Sequence, residues 1–264
     1  MSGLGGVKTD KWLETDFHRP LEICERMRES FGGDSSKRIY QYLLEFGMYR
    51  PNHRTHQTFM ELKEKKAWER LEKLFLKYKN MWKGPDVPVY LFPKNTGGIF
   101  STKTQDTQKS GVSFEDKVFL FLSPLEDDKE LEALFAHEYH HVCRLNKQKK
   151  KVKEYTLMDS LVLEGLAENA VFEQCGEKYL AKWCTQYSSE ELSKIWNQVF
   201  KEQLDCKKTS RLHDDLLFGL KKYPPMIGYA LGYKIVTLFK EKNILSTEDS
   251  FILPSKKFVK DVEL

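Results

Sequence analysis

Seven of the 264 residues are histidines, and two of them stand in the pattern His137-Glu138-x-x-His141. On a helix, residues four apart lie one turn above each other, so both imidazoles can reach one ion of the size and softness of Zn²⁺. Glu138 lies about 100° round the helix from His137. From there its carboxylate reaches a water beside the ion without taking a ligand position. A water acidified by the metal and deprotonated by Glu138 is a nucleophile, and the chemistry implied is metal-assisted hydrolysis. His140 raises a question of register. It is three residues from His137 and projects about 100° away from His141, and only the His137/His141 pair leaves Glu138 in place as the base.

A catalytic zinc site takes a third protein ligand and keeps a fourth position open. The apolar stretch Thr156–Ala170 carries Glu164 and Glu168, four apart and on one face. On spacing alone either carboxylate fits. The other would orient a ligand histidine through its second ring nitrogen. Arg144 falls on the metal side one turn beyond His141. It reads as a cation near a helix C-terminus, as a partner for Glu168 or Asp159, or as a clamp for a substrate carboxylate. Hydrolysis also needs a donor for the developing oxyanion, and Tyr223, Tyr229 and Tyr233 are the candidates, with Tyr229 the choice. His213 is weighed as a late ligand and as an oxyanion or substrate contact.

The segments His137–Arg144, Leu163-Glu164-Gly165-Leu166-Ala167-Glu168 and Tyr223–Tyr233 together resemble the bacterial DUF2268 (YjaZ-like) family of predicted zinc-dependent proteases, within the gluzincin class of metallopeptidases. The resemblance covers roughly residue 85 onward. It implies a zincin-like fold, one Zn²⁺ per chain, Glu164 as third ligand with Glu168 behind it, and a peptide or protein substrate. The chain carries Glu168 where the better-known gluzincins carry Asp. Two readings stand beside peptide hydrolysis: a non-catalytic zinc-containing peptide-binding or regulatory module, and a zinc hydrolase of a small amide or ester.

These residues need elements to hold them. Asp127 with Glu130 three residues on is a capping-box signature, and Leu131, Leu134, Phe135, Val142 and Leu145 recur at helical spacing behind it. The spacing predicts one amphipathic helix with Glu138 aimed into its apolar stripe. A second helix runs from Thr156 to a cap at Gly176, and its Gly165 and Ala167 would let it approach the first. Val87–Phe92 and Lys117–Leu122 read as strands, with 94–111 as a loop or hairpin shaped by Gly97-Gly98. A strand at the sheet's edge would pair with an extended peptide.

The N-terminal part, 8 to 82, reads as helical, with amphipathic stretches at Asp10–Ser30 and Thr55–Met81 and a turn-like segment at Pro51–His56. Ser189–Leu204 reads as a packing helix, His213-Asp214-Asp215 as a cap for Leu216-Leu217-Phe218, and Ile227–Phe239 as a buried helix. The expected fold is α+β and mostly helical, a zincin-like metallopeptidase fold with a small sheet ahead of the active-site helix and a helical N-terminal extension. The expected division is 1–83 and 84–264.

With 43 basic and 39 acidic residues the net charge is +4, which gives no case for a nucleic acid or membrane partner and sets no oligomeric state. The run Lys147–Lys153 reads as a solvated loop, with a basic exosite for acidic substrates as its other reading. Five cysteines without a C-x-x-C fit reduced thiols in a cytoplasmic protein. The start Met1–Gly6 has neither the charged nor the apolar region of a signal peptide, and there is no apolar run of about 18 residues for a membrane span.

Overall fold

The computed structural model describes residues 5–95, 108–260 and 262–264. Helices dominate, and a small three-stranded sheet makes the fold α+β. Contacts divide the chain into two compact units, 1–138 and 139–264.

The first unit opens with α1 (Thr9–Asp16), α2 (Pro20–Glu25), α3 (Ser36–Phe46), α4 (His53–Glu64) and α5 (Ala67–Trp82). The expected helix over 55–81 is two helices. The break is at Lys65-Lys66, where Lys66 takes a left-handed φ of 54°. Of the turn-like segment expected at Pro51–His56, His53–His56 form instead the first turn of α4. Asn52 caps it, accepting from Thr55 N at 3.0 Å while the Thr55 hydroxyl receives the Asn52 N–H at 3.2 Å, a reciprocal box that starts a helix one residue before His53.

Strands β1 (Val89–Pro93), β2 (Lys109–Ser113) and β3 (Val118–Leu122) follow, in the order β1-β3-β2. β1 runs parallel to β3, while β2 and β3 form an antiparallel hairpin. Both β1 and β3 are buried at every position, which is why their sequences are unbroken apolar runs. β2 lies at one edge of the sheet, and its Lys-Ser-Gly-Val-Ser has no apolar run to announce it. Gly97 and Gly98 lie outside the described residues.

Helix α6 (Asp128–Gln148) runs through the division between the units. The second unit continues with α7 (Leu157–Cys175), α8 (Ser189–Ile195), α9 (Arg211–Leu217), α10 (Ile227–Lys242), α11 (Thr247–Ile252) and α12 (Ser255–Val259). The helix expected over 189–204 leaves the α form after Ile195 through a π turn at Trp196–Phe200. The cap of α9 is Ser210, whose Oγ accepts from Leu212 N at 3.3 Å, so His213 lies inside the helix and is not part of its cap.

The core of the second unit is α7 against α10, joined by Leu161, Leu166, Leu231, Ile235 and Val236. The small residues of α7 serve this contact. A Cβ on Gly165 would stand 2.1 Å from the Gly232 carbonyl oxygen, and one on Gly232 would stand 2.1 Å from that of Leu161. The expected use of Gly165, approach to the first metal helix, is therefore replaced by approach to α10. Asn169 meets Thr237 and Glu173 meets Lys240 further along, so the two helices run parallel. Among the described residues no helix is long and apolar enough to cross a membrane, and all five cysteines are free.

Candidate metal centre

Asp127 starts α6 as its spacing predicts, accepting from Lys129 N at 2.9 Å. Glu130 then turns to Lys109 of β2. From Leu131 to Arg144 every residue but His137 is buried, and His137 is half-buried. The helix is enclosed on all sides where a single apolar stripe was expected. Burial of Glu138, His141 and Arg144 in such a helix has to be compensated by partners.

On α7, Thr156 and Asp159 form a capping box, and Gly176 ends the helix with a positive φ of 94°. Locked to α10 through Gly165, this helix presents Glu164 to α6. Oε2 of Glu164 stands 3.3 Å from His141 Nε2. His137, His141 and Glu164 offer ligand atoms that all lie within 4.8 Å of one another. Zinc bonds of about 2.0–2.1 Å in a tetrahedron put donors about 3.3–3.4 Å apart. The His141–Glu164 separation matches that edge, and two imidazoles with one carboxylate are a donor set zinc accepts. The three residues fit the ion.

His140 faces elsewhere. Its Nε2 lies 3.4 Å from Ser250 Oγ, and its ring packs edge-on against Phe251 at 4.9 Å. The register with His137 and His141 as the pair is the one in which three donors converge.

Glu138 is buried at 7% exposure beside β2. The Ser113 hydroxyl lies 2.5 Å from Glu138 Oε2 and 2.9 Å from the Glu138 carbonyl oxygen. Gly111, two residues earlier on the same face of the strand, leaves the space the carboxylate fills. A Cβ there would stand 2.5 Å from Oε1 and 2.6 Å from Cδ and Cγ. Gly111 and Ser113 meet Glu138, and sequence reasoning did not single them out. Period-two alternation places them on one face, but nothing local says that this face meets Glu138.

The remaining candidates separate. Glu168, at 5% exposure, accepts from Ala181 N at 3.0 Å and from Cys184 Sγ at 3.5 Å. The Cys184 thiol is pushed up strongly by its burial and by Glu168. Arg144 is 2% exposed and holds the C-terminal segment. It donates to the Ser250 carbonyl and, at 3.1 Å, to Ser255 Oγ, and it lies 5.8 Å from the centre of the Phe258 ring. Burial lowers its pKa to about 10, against the pull of Asp159. Tyr229 packs its ring on Trp183 at 5.2 Å and Phe218 at 5.8 Å. Tyr233 is pushed up to about 12 by burial, with Cys184 and Glu168 adding to the shift. Tyr223 packs at the edge of the second unit's core. His213 is buried with Ser160 Oγ 2.9 Å from Nε2 and Asp214 Oδ1 2.9 Å from Nδ1, so both ring nitrogens are engaged.

A family model described as "Predicted Zn-dependent protease (DUF2268)" matches residues 67–260. The YjaZ protein of Bacillus subtilis (strain 168) is 38% identical over 223 residues, covering 84% of this chain and 85% of YjaZ. The YjfC protein of the same organism is 28% identical over 136 residues, covering 48% of this chain and 45% of YjfC. No solved structure matches. The family match takes in the sheet, both helices that carry the converging donors, and α10 behind them. This chain belongs to the DUF2268 family of predicted Zn-dependent proteases.

Proposed function

We propose that the protein is a zincin-like peptidase that hydrolyses peptide bonds with one Zn²⁺ held by His137, His141 and Glu164. The observation that carries this reading is the convergence of their ligand atoms within 4.8 Å. When bound, the ion supplies Lewis acidity toward a water and the substrate carbonyl. Glu138 takes the proton from the attacking water and returns it to the leaving amine. Ser113 fixes the carboxylate for both transfers, and Gly111 leaves it room. Glu168 orients a ligand histidine, as a carboxylate behind a metal ligand does.

The edge position of β2, with Gly111 and Ser113 against Glu138, supports an extended peptide pairing along that strand beside the base. Tyr229 is the proposed oxyanion donor, and Tyr233 is the alternative that the two Tyr→Phe variants separate. The free cysteines fit a reducing, cytoplasmic setting.

The test is elemental analysis of protein purified without chelator, followed by incubation with peptide libraries read by mass spectrometry. About one zinc per chain and chelator-sensitive cleavage are expected. A protein that neither holds nor takes up zinc overturns the proposal.

A further inference from the structure

The chain's net charge is small, but it is unevenly placed. Residues 147–154 hold five lysines against one glutamate, and residues 205–211 hold three cations against one aspartate. These two stretches alone carry +6, where the whole chain carries +4. They are far apart in sequence, and the second unit lays them side by side. Thr156 and Lys207 form an antiparallel bridge, Leu157 N donates to the Cys206 carbonyl at 2.8 Å, and Lys208 N donates to the Tyr155 carbonyl at 2.9 Å. The Tyr155 ring takes Lys150 Nζ at 5.5 Å and Lys208 Nζ at 5.8 Å from its centre.

Lys150 is neutralised by Asp159 at 2.7 Å. Glu154 is the one anion in the first stretch, and its carboxylate accepts from the Lys151 backbone N–H at 2.8 Å. Lys149, Lys151, Lys153, Lys207, Lys208 and Arg211 are exposed, and none has an ion-pair partner among the described residues. Like charges gathered this way raise one another's energy and favour an anionic partner.

The position of the patch says which partner. It lies where α6 ends and α7 begins, two turns beyond His141 on one helix and two turns before Glu164 on the other, about 12 Å along each. An extended chain rises about 3.3 Å per residue, so that span is roughly four residues. Resting on the peptidase reading, we propose that this surface is an exosite for an acidic stretch of the polypeptide that is cut at the metal centre. Val152, at 68% exposure, is the only exposed large apolar side chain in the two stretches, too little to insert into a lipid surface. Tyr155 is buried and offers no exposed ring for stacking nucleic-acid bases.

The experiment measures binding apart from cleavage. Zinc-loaded Glu138→Gln protein is titrated by fluorescence anisotropy with a glutamate-rich peptide and with its Glu→Gln counterpart. The acidic peptide should bind about tenfold tighter or more, with the difference shrinking as salt rises. Reversal to Glu at Lys151, Lys153, Lys207 and Lys208 should erase the preference while zinc content and thermal unfolding stay put. A Lys→Gln set at the same positions covers the case in which the reversal misfolds. In otherwise wild-type protein the reversal should raise KM for an acidic cleavable peptide about tenfold and leave kcat unchanged.

Equal binding of the two peptides overturns the exosite. So does binding to mixed phosphatidylserine–phosphatidylcholine vesicles that depends on the same lysines in a protein that does not discriminate the peptides. Acidic-peptide binding that persists in a wild type that cleaves nothing keeps the surface and overturns the reading of the metal centre.

Discussion

His140 and His141 are neighbours in the chain, yet α6 sends them to different work. His141 faces Glu164 at 3.3 Å, and with His137 it gathers a set of metal donors. His140 faces Ser250 and Phe251, and one and two turns further on, Arg144 and Gln148 continue the same duty. Arg144 donates to the Ser250 carbonyl and Ser255 Oγ, and Gln148 donates to the carbonyls of Phe251 and Ile252 at 2.9 and 3.1 Å. One line of polar residues offers donors that could hold an ion, and the other holds the backbone of the C-terminal segment. Residue type does not distinguish them, since both are polar and four apart. The element packed opposite decides which chemistry a buried histidine performs.

That contrast can be broken by substitution. The largest effect is expected at Glu138. Glu138→Gln should retain zinc and fold while turnover drops about 10²- to 10⁴-fold, the scale of a positioned general base; near-normal hydrolysis would remove Glu138 from the mechanism. Next, His141→Ala and Glu164→Ala should each weaken zinc binding more than about 100-fold, beyond the range of an orienting partner. His140→Ala should leave zinc affinity unchanged. If zinc titration under a competing chelator finds His140→Ala as damaging as His141→Ala, the two lines of residues are not separate.

On the other line, Arg144→Ala should cost about 2–4 kcal/mol of stability in denaturant unfolding, because buried acceptors lose a charged donor. Zinc affinity should move far less than stability does, and the reverse pattern would return Arg144 to the metal side. Glu168→Ala should lower zinc affinity roughly 10- to 100-fold without abolishing it. Should Glu168→Ala prove worse than Glu164→Ala in the same titration, their roles are exchanged. The smallest effect is expected at the strand. Ser113→Ala should reduce kcat about five- to tenfold, the worth of one hydrogen bond of about 1 kcal/mol, with KM and zinc content held and Ser113→Thr restoring most of the loss. A Ser113→Ala protein changed in KM alone would show that the hydroxyl serves substrate and not Glu138.

Much of the helical frame was legible from the residues. Asp127 and Thr156 cap their helices, Gly176 ends one, and Tyr223-Pro224-Pro225 precedes α10, as their local chemistry requires. The apolar runs of β1 and β3 announced two buried strands. β2 escaped because a polar, glycine-containing edge strand looks like a loop until it is paired. The breaks at Lys65-Lys66 and after Ile195 escaped because the apolar spacing continues across them.

The candidate metal pair and its proposed base were read from sequence alone because the geometry of i, i+1 and i+4 is set within a single helix turn. Glu164 needed a resemblance, since spacing left it level with Glu168; the fold separates them, with Glu164 at His141 and Glu168 at Ala181 and Cys184. Gly111 and Ser113 against Glu138, His213 between Ser160 and Asp214, Arg144 under the C-terminal segment and the joining of the two lysine runs were decided only by tertiary structure. Each is a contact between segments distant in the chain, and such contacts depend on which surfaces pack together, which no local spacing encodes.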